Sequence, residues 1–409
     1  MMHDHEIVVW GTGNIARKFF YEKGYKYNIQ YFIDNYEPHY NMNNLETYYP
    51  DEVDLRKYKI VIALADWKSV AKQLEKDGLS FYKNYLPYDW LDKDEIPIID
   101  ILSNISDLSD IEEVLRDYAG NRKMAVINGN CQTSRIKMYL KQNREFSKEY
   151  VFLDMPALHM MENDQIELLM QNKNILKNVR LFISQNISLN NAFDYRLSNE
   201  YLIKLMSDQV NYIKIANLFW DIYFPQSGKE QDPEREEFVR NIFPYNDHII
   251  DELLSRPGFT GGGYTADEII QIIKLENLFT SQFLEWILQY RLKQLREREI
   301  LCDIKMLDYI EENFSTRQLF YSRNHPINEV LKEESTRILR YINPDWNLEI
   351  EHEETIPTLS VNQEFIYPSI LNGLELSFQK RYYSDSISEC KYSIEEEIKK
   401  YIYCCDGRR

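Results

Sequence analysis

The sequence has no long apolar run, and it carries little positive charge for its size. Its 409 residues include 48 Lys and Arg against 66 Asp and Glu, a formal net charge of −18. Since such a charge repels phosphate backbones and anionic lipids, nucleic acid and membrane surfaces are excluded as general partners. No stretch of 18 apolar residues occurs, and the N-terminus enters a predicted strand without a signal-peptide pattern. We therefore expect a cytoplasmic protein without a transmembrane segment.

Cysteine is scarce and irregularly spaced. No CxxC pair occurs, and no histidine stands at zinc-ligand spacing, so the sequence indicates neither a disulfide framework nor a metal site. The five cysteines, expected to be reduced, are Cys131, Cys302, Cys390, Cys404 and Cys405. The content of 44% hydrophobic and 14% aromatic residues is typical of a globular chain, and this length predicts two domains. The oligomeric state is left open.

The first glycines of the chain follow a predicted strand. In "EIVVWGTGNIARKFF", Gly11, Gly13 and Ala16 match the G-x-G-x-x-A dinucleotide fingerprint, and a helix is predicted from Asn14. A helix N-terminus offers free N–H groups to an anion, and Asp34 ends the second strand, where an acid binds a ribose hydroxyl. These residues predict a nucleotide-binding turn. The alternative is that the glycines serve only turn geometry and packing.

Strands and helices alternate to about residue 95, which predicts a small α/β module. The module, residues 1–95, is half the size of a full dinucleotide domain. It resembles the short Rossmann-like modules found beside sugar-modifying domains, and this implies a nucleotide or nucleotide-sugar ligand. The acidic residues 96–122 are predicted to be a helical linker, after which a second domain covers 123–409.

A cysteine stands where the first strand of the second domain meets a helix. "KMAVING" is a compact apolar strand, and "CQTSRIKMYLKQN" has helical spacing, which places Cys131 at the turn between them. Parallel α/β sheets bind ligands at this edge, and the helix N-terminus is expected to lower the pKa of the thiol. This predicts a nucleophile; the alternative is an ordinary buried cysteine.

Other polar residues are predicted at the same edge. Gln185 and Asn186 end the strand "NVRLFISQN", and a side-chain amide there suits an oxyanion hole, unless the pair is only a polar turn. His325 lies between a strand and a helix in "RNHP", which indicates a general base. The remaining histidines, His159 among them, lack such a strand-end position.

These segments together resemble a known family. "GNCQTSRI", Gln185, "RNHP" and the later "IPTLSVNQEFIYPSI" resemble the WcbI-type polysaccharide-biosynthesis acetyltransferases, relatives of the SGNH hydrolases in which the GDS serine motif has become GNCQ. The resemblance implies an SGNH-like, parallel-sheet α/β domain. It also implies coenzyme A or acetyl-CoA as donor and a sugar, or nucleotide-sugar, of capsule or lipopolysaccharide as acceptor.

The resemblance also implies roles for individual residues. Cys131 would be the nucleophile or the thiol that faces the acyl group, and His325 the general base. Asn130, with the backbone amides near Gln132, would help to polarise the acyl carbonyl, beside Gln185 and Asn186 at the same sheet edge.

Coenzyme A would lie against Gly129, Arg135 and Asn324, with Arg135 the phosphate candidate one turn into the helix. SGNH hydrolases carry an aspartate three residues before the histidine, where this sequence has Ser322. The orienting acid is therefore missing or comes from elsewhere, for instance from Glu329. Direct transfer and an acyl-Cys131 intermediate both remain open.

A mostly helical insertion is predicted at about 226–315, and its apolar stripe includes Leu284, Ile287 and Leu288. Gly261 to Gly263 are interpreted as a flexible turn. The sequence thus predicts an α/β protein, with a small Rossmann-like domain before a larger SGNH-like domain. Its predicted function is acyl-CoA-dependent O-acetyl transfer to a cell-surface sugar. Alternatives are a glycan esterase, a non-catalytic scaffold of polysaccharide assembly and, last, a nicotinamide oxidoreductase.

Overall fold

The computed structural model of the chain describes most of its residues. Described are residues 6–36, 44–91, 95–105, 107–228, 246–256, 258, 263–350, 359, 364–378, 383–384, 388–389 and 394–406. The predicted turn at Gly261 and Gly262, part of the insertion (229–245) and Cys390 therefore lie outside the described residues.

The described strands are β1 Glu6–Trp10, β2 Asn28–Ile33, β3 Thr47–Tyr48, β4 Lys59–Ile62, β5 Tyr85–Pro87, β6 Glu95–Ile96, β7 Lys123–Asn128, β8 Tyr150–Leu153, β9 Val179–Gln185, β10 Asn211–Ile215, β11 Ser227–Gly228, β12 Asn246–Asp247, β13 Phe320–Ser322, β14 His325–Pro326, β15 Tyr383–Ser384 and β16 Ser388–Glu389. The described α-helices are α1 Asn14–Lys23, α2 Trp67–Lys76, α3 Ile98–Asn104, α4 Leu108–Ala119, α5 Cys131–Gln142, α6 Arg144–Glu149, α7 Asn163–Gln171, α8 Asn199–Leu205, α9 His248–Ser255, α10 Ala266–Ile273, α11 Ser281–Glu299, α12 Leu307–Asn313, α13 Asn328–Ile342, α14 Pro368–Gly373 and α15 Ile394–Asp406. Within these described parts every helix is too short or too polar to cross a membrane.

The first sheet has the strand order β3-β2-β1-β4-β5, and all four pairs of neighbouring strands are parallel. Its central strand β1 is buried from Ile7 to Trp10, as an apolar run between helices requires. The predicted strand–turn–helix at the start of the chain is confirmed.

The second sheet has the strand order β10-β9-β7-β8-β6. The pairs β10–β9, β7–β8 and β6–β8 are parallel. Both β7 and β9 are buried almost throughout, because helices cover both faces of a parallel sheet. The predicted fold class is confirmed: the chain is α/β, with parallel sheets. The helix α7 ends at Gln171, and a tighter 3-10 helix, Lys173–Asn178, follows.

The chain divides into two compact units. One comprises Met1–Val126, Glu149–Met155 and Met161–Val179, and the other comprises Ile127–Lys148, Pro156–Met160 and Arg180–Arg409. The helices predicted as a linker, α3 and α4, lie in the first unit, and β6 just before them pairs with β8. The sequence-based domain boundaries stay a prediction.

The second unit buries a core made largely by its helices. Leu284 and Leu288 on α11 are buried there with Ile269 and Ile273 on α10 and Ile398 on α15. The apolar stripe predicted in this region therefore faces a core. Thr265 accepts a hydrogen bond from the backbone N–H of Glu268 and caps the N-terminus of α10.

Candidate active site

Cys131 is the first residue of α5, three residues after β7 ends at Asn128. Asn130 caps the helix, since its side-chain oxygen accepts the backbone N–H of Gln132 at 3.0 Å. The thiol of Cys131 is partly buried and belongs to no disulfide. The turn therefore presents a thiol at the N-terminus of a helix, at the carboxyl edge of a parallel sheet.

Gln185 holds the turn from the neighbouring strand β9. Its Oε1 accepts the backbone N–H of Asn130 at 3.0 Å, and its Nε2 donates to Asn130 Oδ1 at 3.2 Å. A Cβ on Gly129 would lie 2.6 Å from that same Oε1 and 2.4 Å from Thr133 Cγ2. The glycine is therefore required because only a residue without a side chain lets Gln185 approach so closely.

Every hydrogen-bonding position of the Gln132 side-chain amide is occupied by a group of the protein. Its Nε2 donates to the carbonyls of Leu218 and Asn324, both at 2.8 Å. Its Oε1 accepts the N–H of Leu218 and the side-chain amide of Gln185, both at 3.2 Å. Two donors and two acceptor positions exhaust the capacity of an amide, and the side chain is fully buried. Gln132 therefore clamps three segments together and has no donor left for a substrate.

The predicted base lies on a short hairpin, in which Ser322 on β13 pairs with His325 on β14. His325 is 8% exposed. Because Asn324 is bound by Gln132, the hairpin is anchored to the Cys131 turn one residue before the histidine. Glu329, the acid suggested from the sequence, is exposed in the first turn of α13.

A different carboxylate lies beside this hairpin. Glu364 Oε1 accepts the backbone N–H of Arg323 at 2.8 Å, and the two side chains form a buried ion pair. The backbone N–H of Glu364 also binds the carbonyl of Tyr321 at 2.9 Å. Glu364 belongs to the "VNQEF" stretch, so the later motif is joined to the hairpin.

The pKa of Cys131 corrects the expectation of an activated thiol. Burial raises the pKa above the ordinary value of 9.0, although the backbone N–H groups of Cys131 and Gln132 act in the opposite direction. The sequence revealed the helix N-terminus but not the degree of burial, and desolvation of the thiolate is the larger effect here.

Two residues predicted at the site lie apart from this network. Asn186 is exposed, and none of the hydrogen bonds of the Gln132 network among the described residues involves it. Arg135 is only 6% exposed; its guanidinium lies 5.1 Å from the ring centroid of Tyr139 and donates to the sulfur of Met138. A phosphate-binding role for Arg135 stays a prediction. In the structure its guanidinium is buried against Tyr139 and Met138.

In the first unit, packing explains the first glycine of the turn that is predicted to bind a nucleotide. Gly11 has φ of +118°, and a Cβ there would lie 2.9 Å from the carbonyl oxygen of Ala63, so glycine is required. Gly13 and Asn14 are exposed at the start of α1. The carboxylate of Asp34 accepts the hydroxyl of Thr12 at 2.6 Å. A nucleotide-sugar at this turn stays a prediction.

Sequence reasoning missed two residues close to the Cys131 turn. Asn217, which follows β10, accepts Asn130 Nδ2 at 3.0 Å. His159 is exposed and follows Leu158, whose N–H donates to the carbonyl of Gly129 at 2.9 Å. Asn217 stands two residues past a strand end, a signal that could have found it; nothing in the local pattern marks His159.

The chain is similar to known proteins. A family model described as polysaccharide biosynthesis enzyme WcbI matches residues 124–345. A solved structure described as WcbI, a novel polysaccharide biosynthesis enzyme, matches with a TM-score of 0.55 and 17% identity, over 70% of this chain and 96% of that one. It is the native protein without a disulfide bond between coenzyme A and a cysteine, and at this identity the likeness shows the fold alone. No curated protein is significantly similar. Since the family model covers more than half of its residues, the chain belongs to the WcbI family of polysaccharide biosynthesis enzymes.

Proposed function

We propose that the chain is an acyl-CoA-dependent O-acyltransferase, an acetyltransferase, that modifies a sugar of a capsular or other cell-surface polysaccharide or its nucleotide-sugar precursor. Membership of the WcbI family supports a role in polysaccharide biosynthesis. The structural relative is described together with coenzyme A and a cysteine, which supports an acyl-CoA donor beside Cys131. Use of this donor favours a cytoplasmic location.

One observation carries the proposal: Gln132 hydrogen-bonds the carbonyl of Asn324 from the helix that begins with Cys131. A thiol at a helix N-terminus and a histidine on the facing hairpin are thereby held by one side chain. Acyl transfer needs a base for the acceptor hydroxyl and N–H groups or dipoles for the carbonyl oxygen. In this proposal His325 supplies the base and the start of α5 supplies the N–H groups, and both belong to one compact unit.

In the proposed reaction His325 accepts the proton of the sugar hydroxyl as the hydroxyl oxygen attacks the thioester carbonyl. A new C–O bond forms, the C–S bond breaks, and the imidazolium returns the proton to the departing thiolate. The positive end of α5 stabilises the charge on the carbonyl oxygen. Burial raises the pKa of Cys131, which favours this direct transfer over a preformed thiolate attacking first. Gln132 and Gln185 act as positioning residues.

Calorimetric titration with acetyl-CoA tests the donor. We expect saturable binding with Kd on the order of 1 μM, weakened in Cys131→Ala and unchanged in the matched control Cys302→Ala, which alters a thiol buried elsewhere. Release of free coenzyme A should then require an added sugar. Absence of binding at millimolar acetyl-CoA would remove the donor, and thiol-independent release of acetate from acetylated glycans would instead establish an esterase.

A further inference from the structure

A cleft of about 420 Å³ opens in the second unit, close to the Gln132 clamp but outside it. Its walls include Phe219, Asp221, Ser227, Arg291 and Arg323. This volume lies within the range of small-molecule sites, and the mixture of rings and charged groups is typical of them.

Guanidinium groups outnumber carboxylates around this cleft. Arg291 forms an ion pair with Asp221, and Arg323 forms one with Glu364. Arg298 adds a third guanidinium, 5.8 Å from the ring centroid of Phe219, whose ring also has Arg323 at 6.0 Å. Among the described residues that line or adjoin the cleft, these three guanidiniums stand against two carboxylates, a locally positive group in a chain with a net charge of −18. Such a site suits an anionic ligand.

Several polar atoms of the cleft walls are buried without a hydrogen-bond partner. They are Asp221 Oδ1, Ser227 Oγ and Arg291 Nε. Leaving a buried polar group unpaired is unfavourable, so three on one cleft indicate a ligand that pairs with them. An acceptor, a hydroxyl and a donor together match the hydroxyl groups of a sugar.

A row of aromatic rings extends from the cleft along α11. Phe283, Trp286 and Tyr290 are 40%, 62% and 46% exposed, which is unusual for large rings on a helix that also faces a core. Their planes are nearly parallel: 26° between Phe283 and Trp286, and 8° between Trp286 and Tyr290. With a rise of 1.5 Å per residue, this aromatic row is about 10 Å long. The rings stack on one another, and their exposed parts offer apolar surface on which sugar rings pack.

The cleft lies next to the proposed reaction centre. Gln132 binds the carbonyls of Leu218 and Asn324; Phe219 and Arg323 are the neighbours of these two residues in the chain. The N–H of Trp220 also donates to the carbonyl of Arg323 at 2.7 Å, so the two wall segments are joined. A molecule in the cleft therefore contacts residues that directly adjoin Leu218 and Asn324, which Gln132 holds against the helix that begins at Cys131.

We propose that the cleft and the aromatic row bind the acceptor, a sugar chain that carries acidic groups. The sugar rings lie on Trp286 and Tyr290, a carboxylate or phosphate group pairs with the arginines, and hydroxyl groups satisfy Asp221 and Ser227. This inference rests on the proposed acyl transfer for its purpose, but the binding itself does not depend on the donor.

Calorimetry on the full chain tests the inference with four probes: a tetrasaccharide of uronic acids, a phosphorylated tetrasaccharide, a neutral tetrasaccharide and acetyl-CoA. We expect an acidic tetrasaccharide to bind and the neutral one to bind at least tenfold more weakly; the better acidic probe distinguishes carboxylate from phosphate. Trp286→Ala and Arg291→Gln should each weaken acidic-sugar binding about tenfold, or about 1.4 kcal/mol, and leave acetyl-CoA binding unchanged.

Two variants outside the cleft serve as matched controls. Arg296→Gln removes an exposed arginine of the same helix that pairs with Glu311, and Tyr341→Ala removes a ring that is 50% exposed on α13. Both should bind the sugars normally, and Arg291→Lys tests pairing without loss of charge.

Three results would overturn the inference: no acidic probe binding more tightly than about 1 mM, equal binding of the neutral probe, or acetyl-CoA binding lost in Trp286→Ala. The last would assign the cleft to the nucleotide donor. Failure of the proposed acyl transfer looks different: acidic sugars would bind while acetyl-CoA does not.

Discussion

The side-chain amide of Gln132 donates to the backbone carbonyl of Asn324 over 2.8 Å, and so joins two segments that lie 192 residues apart in the chain. With its bonds to Leu218 and Gln185 it fixes the Cys131 turn against the hairpin of His325. Gln132, the last residue of the GNCQ motif, is therefore a structural requirement of the site.

Replacing Gln132 by Ala should destabilise the protein by about 2 kcal/mol, because the buried carbonyls and amides that it satisfies would lose their partner. Acetyl-CoA binding should weaken as the hairpin loses its anchor. Urea unfolding measures the first effect and calorimetry the second. Gln289→Ala is the control: its amide binds only the exposed side chain of Glu285, and its removal should change neither quantity. Equal stabilities of the two variants would contradict the clamp.

The two glycine motifs should respond differently to alanine. A Cβ at Gly129 would overlap Gln185 Oε1 and Thr133 Cγ2, whereas a Cβ at Gly13 has no atom within 4 Å. Gly129→Ala should therefore cost about 1 to 3 kcal/mol and weaken acetyl-CoA binding, while Gly13→Ala should be nearly neutral. Thermal unfolding with and without acetyl-CoA compares them. A tolerated Gly129→Ala would show that the close approach of Gln185 is dispensable.

Local pattern was sufficient for part of the site. Cys131 and Gln185 were predicted at one sheet edge because alternating strands and helices imply a parallel sheet, whose strand ends meet. The clamp of Gln132 could not be predicted, since its partners Leu218 and Asn324 are backbone groups far along the chain. The raised pKa of Cys131 likewise depends on burial, which the sequence alone does not specify.

The same limit applies to the fold. The two-residue strand β6 is too short for any alternation, and so the sequence showed only a linker where a strand joins the second sheet. On α11 the predicted stripe of Leu284 and Leu288 is buried as expected. The exposed Trp286 and Tyr290 on that helix could not be interpreted as a binding surface from the sequence, because only the tertiary structure brings Arg323 beside them.

A buried acid makes stability depend on pH. Burial raises the pKa of Glu334 to about 8 from an ordinary 4.5, and the nearby Glu299 adds to the shift. The folded state therefore holds a proton that the unfolded chain releases above pH 4.5. Its contribution to the free energy of unfolding is complete below that pH and is lost as pH rises towards 8, at about 1.4 kcal/mol per pH unit at most.

The variant Glu334→Gln keeps the shape of the side chain without the titration. We expect its advantage in unfolding free energy over the wild type to grow between pH 4.5 and 8. Urea unfolding across that range measures it, and Glu333→Gln, on the same helix but in a partly exposed ion pair with Arg337, is the control. A constant difference between Glu334→Gln and wild type would show that Glu334 has an ordinary pKa.

The reactivity of Cys131 decides between the two chemical routes. Because burial raises its pKa above 9.0, iodoacetamide should modify it slowly at pH 7, with a midpoint above pH 9, and incubation with acetyl-CoA should leave no acetyl group on the sulfur. Peptide mass spectrometry across pH 6 to 10 measures both, with Cys302, whose pKa is raised to about 11, as the internal reference. If His325 is the base for a sugar hydroxyl, His325→Ala should abolish sugar-dependent release of coenzyme A while the alkylation profile is unchanged, and His159→Ala should retain the activity. A midpoint below pH 7 that shifts upward in His325→Ala would instead establish a histidine-activated thiolate, and the acyl-Cys131 route would replace direct transfer.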